Sequence, residues 1–90
     1  MNMENHSTIC TKIENIFVND LSVEVPSRGT DLVDTGLMDS LIFVDLLLNL
    51  EQDFLIEVSL DDTEIDDFRT IDSIASFVER KNGVLIEKRP

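Results

Sequence analysis

The segment Leu41–Phe54, LIFVDLLLNLEQDF, constrains the fold most, because its apolar residues occupy two opposite sides of one helix. At about 100° per residue, one side forms a continuous stripe of the width that a core-facing helix needs. The members of this stripe are Phe43, Leu46, Leu47, Leu50 and Phe54. Asp39 or Ser40 can cap the helix, since either side chain can accept a hydrogen bond from the free amides of the first turn. The segment therefore predicts the central helix of the fold.

The opposite side of this helix carries a second apolar patch of Leu41, Val44 and Leu48, with Asp45 and Glu51 beside it. One explanation is a helix that is buried on both sides. However, a chain of 90 residues has few other elements left to cover a second face, and exposed apolar patches usually mark an interaction surface. We therefore expect a docking face for a partner that offers apolar pockets among basic side chains.

The N-terminal part of the chain predicts one helix and one long loop. Apolar residues recur at spacings of three and four over Ile9–Leu21, and Ser7 or Thr8 can cap this helix. Ser22–Met38 has no helical period and is expected to form the loop. Three apolar side chains are expected to pin the loop to the core: Leu32, Val33 and Leu37.

The C-terminal part predicts a short helix followed by a longer one. The short helix is expected around Asp62–Phe68, with Ile65 and Phe68 buried. Thr70 can then cap a last helix over Ile71–Arg80, where apolar residues again recur at three and four.

These elements predict an all-α fold, a small bundle of three main helices and one short helix with a long loop between helices 1 and 2. Gly83 suits a stop after the last helix, and Val84–Pro90 is expected to be frayed or extended. We expect a single domain over residues 1–90, with its core at about 7–81.

Composition excludes several classes of function. The chain has 19 Asp+Glu against 7 Lys+Arg, a net charge of −12 that disfavours nucleic acid and anionic membranes as partners. No apolar run is long enough to span a bilayer, and residues 1–8 do not resemble a signal peptide, so we expect a cytoplasmic protein. With a single cysteine, Cys10, and a single histidine, His6, we expect no disulfide, no metal site and no Cys/His catalytic pair. Cys10 is expected to be a small buried apolar residue.

The acidic residues are concentrated beside the apolar patch. Ten of them lie between Asp39 and Asp67, and no Lys or Arg occurs between Arg28 and Arg69. The cluster does not match a calcium loop starting at Asp61, since the sixth and twelfth positions lack the Gly and Glu that an EF-hand requires.

Ser40 stands in the sequence GLMDSL, at the start of the central helix. A serine at this position is most often a helix cap. No histidine base lies nearby in the sequence, so any chemistry at Ser40 requires activation by another protein. An exposed hydroxyl at a helix N-terminus can accept an attached phosphate, because the amides and the dipole there favour negative charge.

The motif Asp39-Ser40-Leu41, heading an acidic, leucine-rich helix, resembles the carrier-protein family of acyl, D-alanyl and peptidyl carriers. The resemblance covers Ile9 to about Arg80, including Thr70–Val78 as the last helix. It implies that Ser40 receives 4'-phosphopantetheine from coenzyme A through a separate phosphopantetheinyl transferase. It also implies a carrier rather than an enzyme, which holds its cargo as a thioester on this arm.

Partner enzymes of the family dock against the helix that follows the serine. The resemblance therefore extends the docking role to Asp39, Leu41, Val44, Asp45, Leu48 and Glu51, and less directly to Asp61, Asp62 and Glu64. The expected partners are the transferase, an acyl- or aminoacyl-loading ligase, and downstream synthases or transferases with basic docking patches. The protein itself is expected to be a monomer.

The motif departs from that of central fatty-acid carriers, which typically have glycine three residues before the serine. Gly36 stands four residues before Ser40, as in D-alanyl and other specialised stand-alone carriers. Ile42 replaces a commonly acidic residue, and Phe43 can fill space that a long acyl chain would otherwise use. We therefore expect a stand-alone acyl carrier of a specialised fatty-acid or polyketide-type pathway. The alternatives are a D-alanyl or other aminoacyl carrier, and an unmodified acidic docking module.

Overall fold

The computed structural model describes residues 5–58 and 63–87, with side chains described through Lys81. Within these residues all regular secondary structure is helical, which confirms the predicted all-α bundle of three main helices and one short helix. The elements in chain order are α1 (His6–Asn15), a π-helical turn (Ile16–Asp20), α2 (Ser40–Phe54), a 3-10 helix (Ile65–Phe68) and α3 (Ile71–Glu87). No helix in this part of the chain is long and apolar enough to cross a membrane.

The first helix begins earlier than the sequence predicted. Asn5, rather than Ser7 or Thr8, is the N-cap, and its side-chain oxygen accepts a hydrogen bond from the Thr8 amide at 2.8 Å. At the other end, Ile16–Asp20 widens into a π-helical turn, in which the Leu21 amide donates to the Ile16 carbonyl at 3.0 Å. The predicted core stripe is nevertheless buried throughout: Ile9, Ile13, Ile16, Phe17 and Leu21.

The long loop before α2 is held to the core as predicted. Leu32 is fully buried, while Val33 and Leu37 are partly buried against the core. The Leu32 amide donates to the Arg69 carbonyl at 2.6 Å, and the Met38 amide donates to the Leu32 carbonyl at 2.9 Å. The loop is therefore tied both to the segment before α3 and to itself, directly ahead of α2.

The short helix is smaller than predicted. It begins at Ile65, with Glu64 in extended conformation, and Asp62 lies outside the described residues. Phe68 is fully buried, but the prediction that Ile65 is buried was wrong, because its side chain is 50% exposed. A helix of four residues turns only one face to the core, and Phe68 occupies that face.

The last helix begins where the sequence predicted. The amides of Thr70 and Ser73 each donate to the other residue's hydroxyl oxygen at 3.0 Å, which confirms Thr70 as the cap. The helix then continues through Gly83 to Glu87, so the predicted stop at Gly83 is not observed. The prediction of a frayed or extended segment over Val84–Pro90 is wrong for residues 84–87, which are helical, and residues 88–90 lie outside the described residues. One glycine inside a helix costs about 1 kcal/mol, which neighbouring helix-forming residues can offset.

Candidate functional site

Ser40 lies at the first position of α2 and is free of the capping role. The Asp39 carboxylate is the cap, since it accepts a hydrogen bond from the Ile42 amide at 2.8 Å. The Phe43 amide donates to the Asp39 carbonyl at 2.8 Å, which closes the first turn. The Ser40 side chain is exposed and forms no hydrogen bond with the described part of the chain. Of the two capping residues that the sequence allowed, Asp39 is therefore the cap and Ser40 is not.

The local electrostatics of Ser40 suit a phosphate ester. The amides of Ser40 and Leu41 come before the first bonded amides of α2, so they remain available at the positive end of the helix dipole. An exposed, unpaired hydroxyl in that position can be substituted without removing any contact of the fold. The residues present therefore fit a covalently attached, phosphate-linked group.

The second apolar side of α2 is exposed, and burial on both sides is excluded. Leu41 is 71% exposed, Val44 47% and Leu48 51%, whereas the opposite side contains the buried Leu46 and Leu50. The helical pattern thus predicted the orientation of both sides correctly. We refer to Leu41, Val44 and Leu48 as the exposed stripe.

Leu55, which directly follows α2, is a further exposed apolar side chain that the sequence analysis did not single out. It ends α2 in the left-handed region, at φ 55°, and its side chain is 82% exposed. Because Leu55 lies outside the α-helical backbone, the spacing from Leu48 does not fix the direction of its side chain.

The acidic residues beside the stripe differ in what they contact. Asp39 caps α2, and Glu51 accepts a hydrogen bond from the Val58 amide at 2.8 Å, so both also stabilise the fold. Asp45 is half-buried, while Glu64 is exposed beside the 3-10 helix. Asp61 and Asp62 lie outside the described residues.

Three aromatic rings fill the space between α2, the 3-10 helix and α3. Phe43 meets Phe68 edge to face with ring centroids 5.2 Å apart, and Phe68 meets Phe77 at 5.0 Å. Phe43 is partly buried and packs against the core. This confirms that a ring occupies space one turn from Ser40.

Comparison with known proteins gives the same class of protein as the site. Residues 11–78 match the family model described as the phosphopantetheine attachment site. The chain therefore belongs to this family of phosphopantetheine carrier proteins, and the assignment implies a covalently attached 4'-phosphopantetheine.

Among individual relatives, the chain is similar to D-alanyl carrier proteins of Streptococcus pyogenes. It is 32% identical over 77 residues to the proteins from serotype M1 and from serotype M5 (strain Manfredo). In both cases the match covers 86% of this chain and 94% of the relative.

Proposed function

We propose that Ser40 is the attachment point of the 4'-phosphopantetheine arm and that the protein carries cargo on this arm without catalysing a step itself. The observation that carries this proposal is the exposed Ser40 hydroxyl at the start of α2, which Asp39 frees from capping. When bound, the arm supplies a terminal thiol that holds a carboxylic acid as a thioester. Holding cargo on a tether raises its effective concentration near each partner enzyme.

Attachment requires a separate transferase. The Ser40 oxygen forms a new bond to the phosphorus of coenzyme A that bears the pantetheine, and adenosine 3',5'-bisphosphate leaves. The hydroxyl proton passes to a base on the transferase. The sole histidine of the chain, His6, lies on α1 and contacts Asp72 and Glu79 of α3, so it is engaged away from the start of α2.

The exposed stripe and its acidic border form the proposed docking face. Apolar side chains supply the buried centre of an interface, and surrounding acids favour a partner with Lys and Arg around an apolar pocket. We assign docking to Leu41, Val44 and Leu48, with Asp39, Asp45 and Glu51 at the border, and Glu64 together with Asp61 and Asp62 as an outer acidic contact. The partners are the transferase and cargo-loading and cargo-consuming enzymes of the cytoplasm, and the protein acts as a monomer.

For the cargo we propose an amino acid of the D-alanyl type. Its support is the similarity to D-alanyl carrier proteins over most of both chains, together with the aromatic packing of Phe43 and Phe68, which fills space beside α2. On this support we put the aminoacyl carrier, an alternative in the sequence analysis, ahead of the specialised fatty-acid or polyketide-type carrier. A fatty-acyl or polyketide-type cargo is the competing proposal, supported by the general match to the attachment-site family.

The attachment is tested with the full chain, coenzyme A and a broad-specificity phosphopantetheinyl transferase. The intact mass should increase by one arm in the unmodified protein, and Ser40→Ala should show no increase. Ser7→Ala, which removes another exposed hydroxyl from a helix, is the matched control and should be modified at the normal rate. No gain in the unmodified protein, or gain in Ser40→Ala, would contradict the proposal.

The cargo is tested by expressing the protein in its native host and measuring its intact mass under conditions that preserve thioesters. A mass increase equal to an alanyl group on the arm supports the aminoacyl proposal. An increase equal to a fatty-acyl or polyketide chain supports the competing cargo and leaves the carrier function itself intact.

A further inference from the structure

A second group of reactive side chains lies where α1 packs on α3, and the carrier function does not use it. His6, Cys10 and Asp72 each offer one ligating atom, and these atoms all lie within 4.8 Å of one another. His6 and Cys10 are four residues apart, so they share one side of α1, and Asp72 comes from the first turn of α3. We propose that these three side chains bind one Zn²⁺ ion, with water completing the coordination shell.

Two of the three distances between ligand atoms resemble those of a zinc centre. One carboxylate oxygen of Asp72, Oδ1, lies 3.1 Å from His6 Nε2 and 3.5 Å from Cys10 Sγ. Ligand distances of about 2.0–2.3 Å around a tetrahedral Zn²⁺ give spacings of about 3.4 Å for nitrogen to oxygen and 3.6 Å for sulfur to oxygen. Both of these contacts are hydrogen bonds to one carboxylate oxygen, and the three ligand atoms as a group lie within 4.8 Å of one another. Closing the site therefore also requires the ring of His6, which belongs to the first turn of its helix, to approach Cys10 Sγ.

The donor set selects the class of ion. A thiolate and an imidazole favour Zn²⁺ and related transition metals, whereas Ca²⁺ and Mg²⁺ require oxygen ligands. A site with one thiolate, one imidazole and one carboxylate leaves a fourth position for water. This composition distinguishes the cluster from the many acidic groups elsewhere on the surface.

Glu79 supplies an independent feature of metal sites. Its Oε1 lies 3.3 Å from His6 Nδ1, the ring nitrogen that the proposed ion does not use. Histidines that bind metal usually donate this second N–H to a carboxylate, which fixes the tautomer and the ring orientation. Without an ion, Nε2 lies at hydrogen-bond distance from Asp72 Oδ1, so metal binding displaces the proton held between these two atoms.

The cluster is buried on the side of Cys10 and accessible to solvent on the side of His6 and Asp72. Cys10 is completely buried, whereas the side chains of His6 and Asp72 are 40% and 55% exposed, so an ion can enter from solvent past these two residues. Without an ion, burial and the hydrogen bond to Asp72 raise the pKa of the Cys10 thiol to about 11. Binding forms a metal–sulfur bond and releases the thiol proton to solvent, so affinity should increase with pH.

The test uses full-length Ser40→Ala protein, because the thiol of an attached arm would itself bind metal. Co²⁺ is titrated as a spectroscopic substitute for Zn²⁺ at about pH 8 rather than at lower pH, because metal binding must release the protons of the ligands. We expect a near-ultraviolet thiolate-to-cobalt absorption that saturates at one ion per chain and is lost when Zn²⁺ is added. Zn²⁺ should also raise the melting temperature, since it links α1 to α3. Mg²⁺ should neither displace Co²⁺ nor raise the melting temperature.

Variants decide whether the three residues act together. Cys10→Ser should abolish the absorption, and His6→Gln and Asp72→Asn should each weaken Co²⁺ binding by at least about 10- to 100-fold. Asp53→Asn, an exposed carboxylate of α2, is the matched control and should bind normally. His6 and Asp72 are partly exposed, so their variants decide the test even if Cys10→Ser does not fold.

Absence of the absorption in folded protein would overturn the proposal, as would full binding by both His6→Gln and Asp72→Asn. The site does not involve Ser40, so this outcome and the outcome of the arm-attachment experiment are independent.

Discussion

The two sides of α2 contain the same kinds of apolar side chain in opposite environments. Leu46 and Leu50 are fully buried, whereas Leu41 and Leu48 are 71% and 51% exposed. Full burial of a leucine contributes about 1.5–3 kcal/mol relative to exposure, so the first side stabilises the isolated fold. The second side retains apolar surface next to Ser40 that the described residues leave exposed. Under the proposed function, one helix thus separates folding from recognition by the orientation of its side chains.

The acidic residues at the border of the stripe combine a role in stability with the proposed role in docking. Asp39 caps α2 and Glu51 holds the segment after it, through hydrogen bonds of 2.8 Å each. Substituting either acid therefore changes stability as well as any docking. The exposed leucines are the better probes of recognition.

The largest expected effect is on the buried side. Leu50→Ala should lower the free energy of unfolding by about 2–5 kcal/mol, because it removes buried methyl groups and leaves a cavity in a packed core. Urea unfolding followed by circular dichroism measures this. A loss within about 0.5 kcal/mol, the range of ordinary surface substitutions, would break the comparison.

A smaller effect is expected at the start of α2. Asp39→Ala should cost about 1 kcal/mol, since it removes the acceptor for the Ile42 amide. Ser40→Ala should change stability by less than about 0.5 kcal/mol, because this side chain has no bonded role in the fold. Equal losses for the two variants in the same urea experiment would mean that Ser40 also caps the helix.

The smallest stability change is expected on the exposed side. Leu48→Glu should leave the free energy of unfolding within about 0.5 kcal/mol of the unmodified protein, while the rate of arm attachment by the transferase falls. Urea unfolding and a mass-based rate assay measure the two quantities on one sample. An unfolded variant would show that Leu48 belongs to the core.

Acid should weaken the loop that leads into α2. The amides of Asp34 and Val33 donate to the Asp31 carboxylate at 2.8 and 3.0 Å, and Arg69 lies 3.4 Å away. The Asp34 amide first, with Arg69 and the Val33 amide, lowers the pKa of Asp31 below its usual 3.8. The ionised Asp31 carboxylate therefore stabilises the folded protein at pH values above 3.8. This stabilisation is lost as the pH falls through the lower pKa of the folded state.

Melting temperatures of the unmodified protein and Asp31→Asn should accordingly differ most above about pH 5 and converge as the pH falls well below 3.8. A difference that stays constant over this range would show that the carboxylate charge is not responsible.

The sequence predicted the helices, the orientation of α2 and the anchoring of Leu32, because each depends on periodicity over many residues. It placed the start of α1 wrongly, since Asn5 and Ser7 are similarly good caps and the pattern does not distinguish them. It also missed the exposure of Ile65, because an element of four residues contains too little pattern to orient both of its apolar side chains.

The His6, Cys10 and Asp72 cluster could not be predicted at all. Its members are separated by 62 residues between Cys10 and Asp72, and their meeting depends on how α1 packs against α3. Counting one cysteine and one histidine does not reveal the cluster, because its third member is an aspartate that is distant in the sequence. The three side chains meet only through the tertiary packing of α1 on α3, which the sequence pattern does not specify.

The division of α2 into two functional sides is tested most directly by methyl NMR of the full chain titrated with the transferase. The account predicts that methyl signals of Leu41, Val44 and Leu48 shift or broaden, while those of Leu46 and Leu50 stay unchanged. Shifts confined to the buried leucines, or a bound transferase that leaves all the exposed methyls unperturbed, would contradict it.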